Sequence, residues 1–210
     1  MKEKLTKNER NWILYDVANS AFIMLIATII PIYFKYLLSL DGLENMALVY
    51  MGYITSAVTL ILAVLGPILG TISDNSKIKL PIFLTLVLFG VISCALLSIP
   101  MYWLAFLIIF CMAKLGCSSS IIFYDSMLGD ITEEEKLDKV SSLGYAFGYI
   151  GSCIPFTVCI VLVLLSQAKN PIIPFQAAIT ISFIITAAWW LLLSIPLLKC
   201  YKQKKTEDRE

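Results

Sequence analysis

Hydrophobic and polar positions alternate along this chain on the scale of whole helices rather than single residues. Six apolar runs, near 12–38, 48–72, 80–99, 101–128, 140–165 and 172–198, are parted by short charged or turn-forming stretches. Each approaches or exceeds the ~20 residues that a helix needs to cross a bilayer. A backbone in lipid must satisfy its own hydrogen bonds, which leaves helices or closed barrels, and runs this long are not barrel strands. The expected fold is an all-α polytopic membrane protein with a six-helix transmembrane bundle over 12–198. A segment 1–11 precedes it and a basic tail 199–210 follows. The third and fourth runs are divided only by the tight turn Ser98-Ile99-Pro100-Met101.

Two runs carry a repeated pattern of small residues. At about 100° per residue, Gly52, Ser56, Thr59, Ala63, Gly66 and Gly70 fall on one narrow face of the second helix. Gly144, Gly148, Gly151 and Pro155 do the same on the fifth. Small residues let membrane helices approach closely, so both faces are expected to be packing seams in a compact bundle.

Charge sets the orientation. The chain is 59% hydrophobic and 15% charged, and the charges sit in blocks between the runs, so the lipid bilayer is the solvent for most of the chain. Lys2, Lys4, Lys7, Arg10, Lys77, Lys79, Lys136, Lys139, Lys199, Lys202, Lys204, Lys205 and Arg209 lie on one side. Lys169 lies on the other, with Lys35 at the end of the first helix. By the positive-inside rule both termini are cytoplasmic. The basic residues border the membrane and form no stripe with exposed aromatics, so no nucleic-acid partner is expected. The first run is too long for a signal peptide, carries Asp16, Asn19 and Lys35, and lacks a small-x-small cleavage site, so it reads as a retained helix.

Histidine is absent, which excludes Ser-His and Cys-His catalysis, HExxH zinc sites and histidine proton relays. The six cysteines are scattered through apolar runs without CxxC spacing and read as packing residues. No metal and no cofactor is expected.

Polar groups inside the membrane are costly and therefore informative. Lys114 lies near the middle of the fourth helix, and helical spacing puts Ser118, Ile121 and Asp125 within about 40° of it. Tyr15, Asp16, Asn19 and Ser20 cluster on the first helix. The first and fourth helices are therefore expected to line a shared cavity, with Tyr124 beside Asp125. Lys114 would attract a carboxylate or exchange a proton, or else pair with a carboxylate of another helix. In the loop after the fourth helix, Thr132-Glu133-Glu134-Glu135 has the spacing of a capping box and is expected to open a short surface helix.

The loop after the second helix reads Gly70-Thr71-Ile72-Ser73-Asp74-Asn75-Ser76-Lys77-Ile78-Lys79. It resembles the G-x-x-x-D-R-x-G-R-R loop of the major facilitator superfamily, with Gly70, Asp74 and Lys79 matching and Asn75, Lys77 and Ile78 departing. Three further segments resemble the vacuole-effluxer-like family within it, the autophagy-related permeases. These are Trp12-Ile13-Leu14-Tyr15-Asp16-Val17-Ala18-Asn19-Ser20-Ala21-Phe22 with Pro31-Ile32-Tyr33-Phe34 following, Phe123-Tyr124-Asp125-Ser126-Met127-Leu128 continuing through Asp130-Ile131-Thr132, and Val140-Ser141-Ser142-Leu143-Gly144-Tyr145-Ala146-Phe147-Gly148-Tyr149-Ile150-Gly151. Lys114 stands where that family is expected to carry a neutral polar residue.

The resemblance implies the N-terminal half of a secondary transporter, built as a 3+3 inverted repeat and working by alternating access on a small solute. Amino acids, with efflux as the direction and H+ as a coupling ion, are what the family suggests, and a bacterial plasma membrane is the expected location. Gly70, Asp74, Lys79 and Asp130 would belong to a cytoplasmic gate. The tail resembles the start of a central linker. The chain is thus expected to be a fragment, a split-gene product, or a half that pairs with itself or with a separate six-helix half. Two other classes compete. A non-transporting six-helix subunit or scaffold fits the topology. An intramembrane aspartyl protease would need a GxGD motif, but Met127 replaces its first glycine in Met127-Leu128-Gly129-Asp130.

Overall fold

The computed structural model describes residues 4–74 and 78–202. Lys2, Asn75, Lys77, Lys204, Lys205 and Arg209, used above for orientation and for the loop pattern, lie outside the described residues. Every long element is a helix: α1 Lys7–Ala27, α2 Ile29–Ser39, α3 Ala47–Ser73, α4 Lys79–Leu96, α5 Trp103–Ile131, α6 Leu137–Ser166 and α7 Phe175–Cys200. Together they make six stretches long and apolar enough to span a bilayer, because α1 and α2 run on as one.

That first span is expected from sequence to be one helix and is instead broken at Thr28, whose backbone leaves the helical region (φ −132°, ψ −71°). Pro31 explains the break. It offers no N–H to the carbonyl of Ala27, and its ring would crowd that carbonyl in a straight helix. Thr28 Oγ1 donates to the Met24 carbonyl at 2.7 Å and satisfies one acceptor left near the break. Pro67, Pro155 and Pro196 sit inside α3, α6 and α7 without dividing them.

The first span is the centre of the bundle. α1 packs along α6 and α7, α4 packs on α5 and α7, and α3 lies mainly against α5. Aromatic rings fill the far half of the core, where Tyr33 meets Phe106 edge-on at 5.2 Å and its hydroxyl donates to Gln176 Oε1 at 3.1 Å. Phe22 stacks on Trp190 at 5.4 Å in the middle.

The two small-residue faces have different fates. On α6, a methyl at Gly144 would meet the Trp12 ring at 2.7 Å, one at Gly148 would meet Asp16 and Ser20 oxygens at 3.1 Å, and one at Gly151 would collide with Val17. On α3, nothing lies within 4 Å of a methyl at Gly52, Gly66 or Gly70. The seam expected on the second span therefore has no partner helix among the described residues. Only Ala47, Val58 and Ser73 of α3 are buried. A third close approach has no repeat to announce it: a methyl at Gly116 of α5 would meet the Gly90 backbone of α4 at 2.8 Å.

Candidate functional site

The N-terminal end of the bundle opens into a cavity of about 360 Å³ between α1, α5 and α6. α1 contributes Trp12, Asp16, Asn19, Ser20, Ile23 and Met24; α5 contributes Ile121, Tyr124, Asp125 and Leu128; α6 contributes Ser141, Tyr145 and Tyr149. The i, i+4 and i+7 spacings on α1 and α5 turn these side chains to one face of each helix. Glycines at 144 and 148 let α6 come close enough to complete the third wall.

A stack of rings fixes the cavity floor. Trp12 lies flat on Tyr124 at 4.2 Å, and its indole N–H donates to the Tyr124 carbonyl at 3.0 Å. Tyr15 sits fully buried behind Tyr124, with its hydroxyl 2.8 Å from Ser120 Oγ, so it supports the wall and does not face the cavity. Deeper in, Cys117 Sγ lies 2.9 Å from Asn19 Oδ1 and joins the two helices. Asp16 and Asp125 both face the cavity, and neither has an ion-pair or hydrogen-bond partner among the described residues.

Of the residues singled out from sequence, Asp16, Asn19, Tyr124 and Asp125 meet in this cavity, and Tyr15 stands directly behind it. Lys114 and Ser118 do not line it. Lys114 keeps nearly the angle of Asp125 on α5 but lies seven residues beyond Ile121, about 10 Å further along the axis at 1.5 Å per residue. Helical spacing predicts the face of a residue but not the depth at which a cavity closes. Lys114 is half-buried and forms no ion pair among the described residues, so the alternative of a structural pair also finds no partner.

The residues assigned to a gate separate into two groups. Lys79 Nζ bonds Asp130 Oδ2 at 2.9 Å and the Ser126 carbonyl at 3.2 Å, and both charged side chains are almost wholly enclosed. Tyr201, past the end of α7, donates to the same carboxylate oxygen at 2.5 Å. Asp74 is exposed at the end of α3, with Gly70 half-buried one turn earlier. The capping pattern at Thr132 is also used differently. One 3-10 turn forms over Glu134–Lys136, but no side chain caps it. Thr132 Oγ1 instead donates to Glu9 Oε1 at 2.7 Å. The capping box that does form is Thr6 with Glu9, at the start of α1.

Sequence reasoning missed the α6 wall. Ser141, Tyr145 and Tyr149 repeat at intervals of four beside the glycine seam, and that neighbourhood of a polar stripe and a close-packing stripe was the available signal.

A family model described as the Major Facilitator Superfamily matches residues 12–209. The chain is 41% identical over 208 residues to "Uncharacterized MFS-type transporter YxiO" of Bacillus subtilis (strain 168), an alignment covering 97% of this chain and 49% of that protein. The chain thus spans about half the length of this relative. No solved structure matches it.

Proposed function

The chain belongs to the major facilitator superfamily, and on that premise we propose that it forms one half of a secondary transporter whose solute site includes the cavity between α1, α5 and α6. The observation that carries this reading is the cavity itself. It places two aspartates, an asparagine and serines inside an otherwise apolar span, and groups so costly in a membrane are retained where they contact solute, ion or water. The relative's greater length and the unpartnered glycine face of α3 favour a second six-helix half, from another chain or a second copy, that closes over this surface. Both termini are cytoplasmic in this reading, so the cavity opens inward and Lys79, Asp130 and Asp74 lie at the cytoplasmic rim. Asp74, exposed at the end of α3, is then placed to meet a helix N-terminus of the second half. The vacuole-effluxer-like assignment, efflux across a bacterial plasma membrane and H+ coupling belong to the same proposal and rest on sequence resemblance. Two aspartates in one cavity are also the ingredients of an aspartyl protease, but family membership favours transport over that reading.

The test is flux in sealed vesicles containing the chain, alone and with a matching six-helix half. Saturable flux with both and none with either alone supports the split-site reading. Flux by the chain alone supports a homo-oligomeric carrier, and flux in neither preparation across cationic, anionic and zwitterionic solutes counts against transport.

A further inference from the structure

We propose that the cavity between α1, α5 and α6 takes an organic cation, an amine with an apolar body, in preference to an anion or an amino acid. The proposal rests on the transporter reading for its biological use, but the binding it describes stands on the cavity alone.

Charge is the first argument. Asp16 and Asp125 supply two carboxylates, and among the described residues no lysine or arginine lines the cavity. Neither carboxylate is neutralised by a neighbour among the described residues. Two uncompensated acidic groups at a partly enclosed site repel an anion and attract a cation, and low-dielectric walls strengthen both effects.

An unfilled hydrogen bond is the second. Tyr124 is only 4% exposed, yet its hydroxyl has no hydrogen-bond partner among the described residues. Tyr124 itself lines the cavity together with Asp16, Asp125 and Tyr145. A buried hydroxyl without a partner is costly, and a bound amine or its water would satisfy it once the ring turns toward the cavity.

The walls are the third. Trp12 and Tyr124 form the floor, and the rings of Tyr145 and Tyr149 stand exposed on α6. Aromatic faces around a carboxylate are the arrangement that binds ammonium groups through cation–π attraction. Ile23, Met24 and Ile121 provide an apolar inner end.

The lining also disfavours an amino acid at this site. The nearest cations along the chain are Arg10, six residues before Asp16 on α1, and Lys139, two residues before Ser141 on α6; both are exposed and neither lines the cavity. An α-amino acid carries both charges close together, so its carboxylate enters wherever its ammonium does. Its carboxylate would therefore sit among the aspartates without a counter-charge.

The experiment is equilibrium binding of radiolabelled phenylethylamine to the whole chain in lipid nanodiscs. Unlabelled phenylethanol, phenylacetate and phenylalanine, which share the ring and differ in charge, serve as competitors. The expected result is saturable binding of the amine, with each competitor weaker by ten-fold or more. Asp16→Asn and Asp125→Asn should each weaken the amine at least ten-fold, and Asp125→Glu should restore part of the loss. Equal competition by phenylacetate or phenylalanine overturns the proposal, as does unchanged amine binding in the doubly substituted Asp16→Asn, Asp125→Asn chain. If the asparagine variants fail to fold, the competitor series on the unaltered chain still decides. Binding without flux keeps the cation site and removes the transport reading. Flux of another solute, indifferent to phenylethylamine and to both substitutions, keeps transport and removes the cation site.

Discussion

Two helices carry the same kind of glycine-rich stripe, and only one of the stripes is covered. On α6, Gly144, Gly148 and Gly151 lie under Trp12, Asp16 and Val17 of α1, whose side chains rest where a Cβ on α6 would collide with them. On α3, Gly52, Gly66 and Gly70 face open space. The contrast teaches that a small-residue repeat encodes the capacity for close approach and not the identity of the partner. For α6 the partner is in this chain. For α3 the proposed partner is the second half.

Substitutions put that contrast at risk, and the largest expected effect is at an enclosed charge. Asp130→Asn leaves Lys79 buried with only part of its cage and should cost about 3–5 kcal/mol, read as a lowered midpoint of thermal unfolding in detergent. Gly148→Leu comes next. It forces a branched side chain into Asp16 and Ser20, and a loss of about 3 kcal/mol or more is expected, whereas Gly66→Leu should leave the same chain unchanged. Equal losses at both positions would break the comparison.

The middle of the range is Thr132→Val, which removes the Thr132 bond to Glu9, a side chain only 3% exposed, and should cost about 1–3 kcal/mol. The smallest effect separates the two stripes by sign. Gly144→Ala should destabilise because its methyl meets Trp12 at 2.7 Å. Gly52→Ala should be neutral or stabilise by up to about 1 kcal/mol, since it stiffens a helix without touching a neighbour. Repeating Gly66→Leu with a second six-helix half present sharpens the comparison, because a covered face should then reject the side chain.

Much of the architecture was legible in the sequence. Apolar run length gives the spans, since lipid permits few alternatives, and each of the six runs has its helix. The break at Thr28 needed attention to Pro31, which a count of apolar residues ignores. The cavity was half legible. The polar positions of α1 and α5 share a face by simple periodicity, and Asp16, Asn19, Tyr124 and Asp125 do meet. The α6 wall, the depth that leaves Lys114 aside and the pairing of Lys79 with Asp130 depend on which helices become neighbours. A single sequence without a partner-specific mark does not contain that information. Thr132 makes the same point on a small scale: its capping pattern was real, but Glu9, 123 residues away, claims the hydroxyl.

The interruption at Thr28 has a mechanical consequence. It lies one turn past Met24, the innermost α1 residue of the cavity. Below it, α1 carries Trp12 and Asp16 against α6; above it, α2 is clamped among Phe106, Phe183 and Phe175 by the rings of Tyr33 and Tyr36. A rod with its hydrogen-bond ladder cut at one level bends there first. The interruption thus divides the first span into one arm that lines the cavity and another held by rings in the far half of the bundle.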